Sequence, residues 1–81
     1  MLELNSNLRA VIINRKTIWL TASEYPVLER LVKAKGKIVS HRKLMKVCET
    51  NSDKGLLMIV YRIRRKTGLG IVTHPREGYS L

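Results

Sequence analysis

Residues 56–68 read LLMIVYRIRRKTG. Six apolar or aromatic residues come without a break, and four of the next five are basic. The run is well short of the ~20 residues that a membrane span needs. As a helix, its apolar side must therefore be covered by the rest of a chain of only 81 residues. That restricts the fold to a small packed domain showing the basic side of this helix outward. On a helical wheel with Val60 at the centre of the inner face, Leu56, Leu57, Ile63 and Thr67 fall within roughly 60° of it. Ile59 sits on the shoulder. Met58, Arg62 and Arg65 fall on the opposite side, flanked by Lys54, Tyr61 and Lys66.

Three uses of such a helix are open. It can be an ordinary amphipathic helix with a solvated basic face. It can lie on a membrane surface; against this, its inner face has apolar partners elsewhere in the chain and the arginines crowd one end. It can enter the major groove of DNA, where Arg reads guanine edges or phosphates and an apolar group such as Met58 touches a thymine methyl. Charge favours the last. Sixteen Lys and Arg against six Asp and Glu leave a net charge of +10. No acidic residue lies between Asp53 and Glu77, nor between Glu29 and Glu49, while six and seven basic residues do. Solvated surfaces mix signs, whereas a one-signed field suits a polyanion.

The rest of the chain supplies the cover. RAVIIN and KTIWLT are rich in β-branched residues and flank Asn14-Arg15, which predicts a hairpin with Val11 and Ile13 facing Ile18 and Leu20. Arg15 suits a tight type I′ turn poorly, so a loop of three or four residues is expected. LEL at the start reads as a further short strand. TASE is a capping box, with Thr21 as N-cap and Glu24 three residues on. It predicts a helix over 22–34 that ends near Gly36 and loses one backbone bond at Pro26. KIV is a short extended piece. Ser40 caps a second helix over 41–49, with Leu44, Val47 and Cys48 inward. Asn51 or Ser52 caps the third, which runs to Thr67 and stops at Gly68. Residues 71–74 and 79–81 form strands about the turn PREG. Trp19 falls on the outer sheet face, as cover packing or as a protein contact.

At this point the chain resembles a known family. LTASEYPVLERLVKAKGKIVSHRKLMK is similar to the opening of the OmpR/PhoB-type winged-helix effector domain, L-T-x-x-E-[FY]-x-x-L-x-x-L followed by a Gly and a Ser-Arg stretch. IVYRIRRK resembles its recognition-helix signature, with Ile63-Arg64-Arg65-Lys66 on L-R-x-K, and GYSL resembles its terminal Gly-Tyr. The likeness extends from about Val11 to Leu81. It implies N-terminal antiparallel strands, a three-helix core with the third helix in the major groove, and a C-terminal hairpin wing reaching the minor groove. The contact positions of the family fall on Lys54, Ile59, Tyr61, Arg62, Arg64 and Arg65. Ile59 and Tyr61 stand where polar residues are common. In the wing, Pro75 replaces an Arg and Arg76 stands one residue later. The segment between helices two and three, which in the family often contacts polymerase, is short. The resemblance covers no receiver domain, which fits either an excised fragment or a standalone regulator of the kind that phages and mobile elements encode.

The expectation is thus an α+β winged helix-turn-helix in a single domain over 1–81, with strands over 1–20, three helices over 21–68 and the wing over 69–81. The expected function is transcription regulation through double-stranded DNA, with a tandem or a symmetric homodimer open as the arrangement on it. Met58, Tyr61, Arg62, Arg65 and Lys54 are the candidates for base edges. Arg64, Lys66, Arg42, Lys43 and His41 are those for the phosphate backbone, and Arg76 is the minor-groove candidate. The alternative is a winged-helix protein-interaction module that meets an acidic partner, such as RNA polymerase or another regulator. An RNA binder is disfavoured by four aromatics that form no stacking stripe. One cysteine and the lack of a signal-like start point to the cytoplasm. His41 and Cys48 are too few to hold a structural zinc. No nucleophile-base set or phosphate-binding Gly loop is present, so neither enzyme activity nor a cofactor or metal is expected.

Overall fold

The computed structural model describes residues 2–81. Strands β1 (Leu2–Asn5), β2 (Ala10–Ile13) and β3 (Lys16–Trp19) form an antiparallel sheet in sequential order. Helices α1 (Glu24–Lys33), α2 (His41–Val47) and α3 (Asp53–Thr67) follow, with the two-residue strand β4 (Val39–Ser40) before α2. Strands β5 (Val72–His74) and β6 (Gly78–Ser80) make the terminal hairpin, and β4 pairs with β6 to give a second sheet in the order β4-β6-β5.

The first hairpin differs from expectation at its turn. Ile13 pairs with Lys16, so the loop is Asn14-Arg15 alone. Both residues have positive φ, 49° and 71°. This is the type I′ geometry, whose twist matches that of the flanking strands. Strand pairing on both sides outweighs the cost of putting Arg15 in the left-handed region. The pairing sets Val11 opposite Ile18 and Leu4 opposite Val11, so one face carries the apolar residues inward.

The capping box at α1 forms as read: the Thr21 N–H donates to Glu24 Oε1 at 3.0 Å, and the Glu24 N–H donates to Thr21 Oγ1 at 3.2 Å. The regular helix begins only at Glu24, two residues later than expected. The Tyr25 N–H already bonds the Thr21 carbonyl at 3.0 Å, so Pro26, the next residue, loses the bond to the Ala22 carbonyl as expected, and the regular ladder resumes only beyond it. Ser40 caps α2 by accepting from the Lys43 N–H at 3.3 Å, and α2 ends at Val47, shorter than expected. Ser52 caps α3 by accepting from the Gly55 N–H at 3.0 Å. Gly68 ends that helix in the left-handed conformation, φ 71°, with its N–H on the Arg64 carbonyl.

The core joins the helices to both sheets. Leu28 and Leu31 of α1, Leu44 of α2, and Leu56, Val60 and Ile63 of α3 are fully buried against Val11 of β2, with Ile71 and Tyr79 closing the wing side. Cys48 is buried among them, as expected, and Val47 is half-buried. Among the described residues no helix is long and apolar enough to cross a membrane.

Candidate nucleic-acid interface

The buried positions of α3 are Leu56, Ile59, Val60 and Ile63. At 100° per residue their mean direction lies roughly 50° from Val60, on the side of Ile59. The helix is therefore rolled relative to the expected wheel. Ile59 becomes core. Leu57, expected inside, is 46% exposed. The roll follows from what packs on each flank: the wing lies along the Arg64 side and the start of α1 along the Lys66 side. The outward stripe is consequently Lys54, Met58, Tyr61 and Arg65, with Leu57 and Arg62 at its margins. Met58 and Tyr61 are 44% and 47% exposed. Arg65 donates to the Tyr61 hydroxyl at 3.1 Å, and its guanidinium carbon lies 5.8 Å from that ring centroid. Two of the five base-edge candidates are thus held by each other before any ligand arrives. Arg62 borders a shallow groove shared with Cys48–Thr50 and the start of α1.

Two of the phosphate candidates have partners within the domain. Arg64 donates from Nε and Nη2 to the Ile71 carbonyl at 3.0 and 2.7 Å, and from Nη2 to Thr73 Oγ1 at 2.8 Å. It fastens the wing to α3. Lys66 Nζ sits 2.6 Å from Glu24 Oε1, a carboxylate only 2% exposed. It neutralises the buried member of the capping box. These partners are 7 and 42 residues away, so no local pattern around either residue signals them. Arg42 and Lys43 are exposed in the first turn of α2. His41 is half-buried, and its ring meets the Tyr79 ring edge-on at a centroid distance of 5.3 Å.

The wing tip is Pro75-Arg76-Glu77, with Arg76 exposed at φ 65° and the Glu77 N–H on the His74 carbonyl. His74 belongs to β5, its Nε2 2.7 Å from Ser80 Oγ. Between wing and helices lies a cleft of about 390 Å³ bordered by His41, Asp53, Lys54, Leu57 and Arg76. Burial raises the Tyr79 phenol above its ordinary 10.0, with nearby Asp53 adding to the rise and Arg64 opposing it. Tyr25 is raised by burial and then by the charge of Glu29 and its hydrogen bond to that carboxylate. Trp19 is 60% exposed on the outer sheet face, so the cover-packing expectation gives way to an open side chain.

Three helices, a basic outward face on the third and a hairpin locked beside it define a winged helix-turn-helix. Residues 15–81 match the family described as "Transcriptional regulatory protein, C terminal". The chain belongs to that family, the OmpR/PhoB-type DNA-binding domains of transcription regulators. It is 34% identical over 86 residues to the transcriptional regulatory protein CutR of Streptomyces coelicolor, and equally to that of Streptomyces lividans. Those alignments take in 99% of this chain but 40% of each relative, so the chain spans under half their length. Among solved structures, the AdeR DNA-binding domain in complex with an intercistronic region superposes with a TM-score of 0.84 at 23% identity, covering 99% of this chain and 92% of that one. The DNA-binding domain of Bacillus subtilis CssR gives 0.84 at 23% identity, covering 99% and 98%. At such identity these two likenesses concern the fold.

Proposed function

We propose that this domain binds double-stranded DNA sequence-specifically, with α3 in the major groove and the wing at the adjacent minor groove, and so regulates transcription. The observation that carries the reading is the outward stripe of α3. Lys54, Met58, Tyr61 and Arg65 stand in line on one face, and no acidic residue lies in the chain between Asp53 and Glu77. Arg65 and Tyr61 are the first candidates for base edges, because their mutual contact lowers the entropy cost of placing them. Met58 fits a thymine methyl, and Arg62 and Lys54 extend the stripe. Arg42, Lys43 and His41 at the start of α2 serve the phosphates on one side, and Arg76 serves the minor groove on the other. The structural neighbour AdeR, bound to an intercistronic region, supports the same use of the fold here. Tandem binding to direct repeats and contact with polymerase are finer parts of the same proposal.

The test is selection from random duplexes at about 150 mM salt, followed by affinity measurement on the enriched site. An enriched motif is expected. On that site Arg65→Ala should cost about 1–3 kcal/mol and relax one base position, while leaving the melting temperature nearly unchanged. Retention of random sequence only, with affinity that collapses steeply as salt rises, would leave the charge with a non-specific role and refute the reading.

A further inference from the structure

The second acid-free stretch of the chain, 30–48, does not belong to the α3 face. Arg30 and Lys33 at the end of α1, Lys37 after the following turn, and Lys43 in α2 border a cleft of about 570 Å³. No residue of α3 or of the wing borders it. Its lining also includes Ala34, Ile38 and Val39, and Ile38 is exposed. The one carboxylate present, Glu29, already accepts from the Tyr25 hydroxyl at 3.4 Å and lies 3.8 Å from Lys33. Arg30 and Lys33 have a local reason to be basic, since they face the carbonyl end of α1. Lys37 and Lys43 have none: Lys37 lies beyond the helix and Lys43 in the opening turn of the next. Lys35 and Gly36, at φ 51° and 88°, turn the chain back so that Lys37 and Ile38 come beside α1.

We propose that this cleft docks an acidic protein segment carrying an apolar side chain. The cations complement its carboxylates, and Ala34 and Ile38 receive the apolar group. A DNA backbone meets the charge but has nothing to place on an apolar floor. It is also a convex rod, whereas this site is a hollow. The proposal is independent of the α3 reading, because the two surfaces share no residue except Lys43, which serves the phosphates there and the rim here.

The probe is a labelled twelve-residue peptide of Glu and Asp with two central Leu, titrated by fluorescence anisotropy at about 150 mM salt. Amide chemical shifts of the isotopically labelled protein report where it sits. Binding is expected, with shifts centred on Ala34 and Ile38. The Arg30→Gln/Lys37→Gln double variant, Ile38→Ser, and a peptide with both Leu replaced by Ser should each weaken it about tenfold or more. The double variant should change affinity for the selected DNA by less than about threefold. Any of four results overturns the proposal: no binding at millimolar peptide, shifts centred on α3 and the wing, equal binding of the Leu-free peptide, or displacement of the peptide by DNA with matching shifts at Ala34 and Ile38.

Discussion

Replacing Lys66 with Met isolates the pair that holds α3 to the start of α1. Glu24 is buried and Lys66 is 39% exposed, with 2.6 Å between Nζ and Oε1. Removing the lysine leaves the carboxylate with the Thr21 N–H as its remaining donor, in a setting too dry to recruit water freely. A fully buried pair broken this way costs about 3–5 kcal/mol, and an exposed one about 0–1 kcal/mol. Lys66 is more than a third exposed, so solvent screens part of the attraction, and about 2 kcal/mol is expected. For a domain of this size that is a fall in melting temperature of about 8–16 °C. Glu24→Gln should cost about half as much, because Gln keeps an acceptor for the capping box and the freed ammonium can turn to water. The double variant should recover about 1 kcal/mol of the summed losses, since neither partner is then left alone. Calorimetry or urea unfolding of the four proteins measures the cycle. On DNA, the salt slope of Lys66→Met should match that of the parent; a slope smaller by about 1 would return Lys66 to the phosphates. A loss below about 0.5 kcal/mol for Lys66→Met, or a larger loss for Glu24→Gln, would refute the assignment of a buried uncompensated charge.

A Cβ on Gly78 would fall inside contact distance of the Val39 carbonyl and 2.9 Å from the Ser40 Cα, both backbone atoms with little room to move. Gly78→Ala should therefore cost about 3 kcal/mol in urea unfolding and loosen amide exchange at β4 and β6; parental stability would mean that the two strands sit farther apart. Arg15→Gly should stabilise the domain by about 0.5 kcal/mol, the left-handed cost relieved less the extra chain entropy. Destabilisation in the same assay would count against the type I′ turn. Tyr25 and Tyr79 have phenols raised above 10.0. Keeping them neutral thus contributes stability that is full below that pH and lost as pH rises through the folded values. The unfolding midpoint should fall above about pH 10, and less so in Tyr79→Phe; a flat profile there would contradict the burial of both rings.

Order and type of the elements were legible because each carries its own local chemistry. The capping box at Thr21 and Glu24, the caps at Ser40 and Ser52, and the stop at Gly68 act within four residues of themselves, and all appear where the sequence indicates. The two-residue turn at Asn14-Arg15 is not legible locally, because residue preference at one position is weaker than the register imposed by two paired strands. The roll of α3 is not legible either, because apolar spacing cannot distinguish Leu57 from Ile59 when both flank the inner face. The docking of the wing and of α1 decides between them. Arg64 and Lys66 sit in a run of basic residues in which nothing local marks two of them for internal use. Their partners are a carbonyl on the wing and a carboxylate at the far end of the core.

Strand β4 has two residues, yet Ser40 both caps α2 and pairs with Gly78 of the wing. Arg64 makes the other tie, from α3 to the neighbouring wing strand. Between them, the tip bearing Arg76 and the stripe bearing Tyr61 and Arg65 are mounted on one frame, like the jaws of a gauge set to a single span. On the proposed reading, a duplex whose grooves are spaced differently is accommodated by bending or twisting the duplex, not the gauge. The stiffness of base pairs lying between the jaws, untouched by any side chain, then becomes part of what the domain recognises.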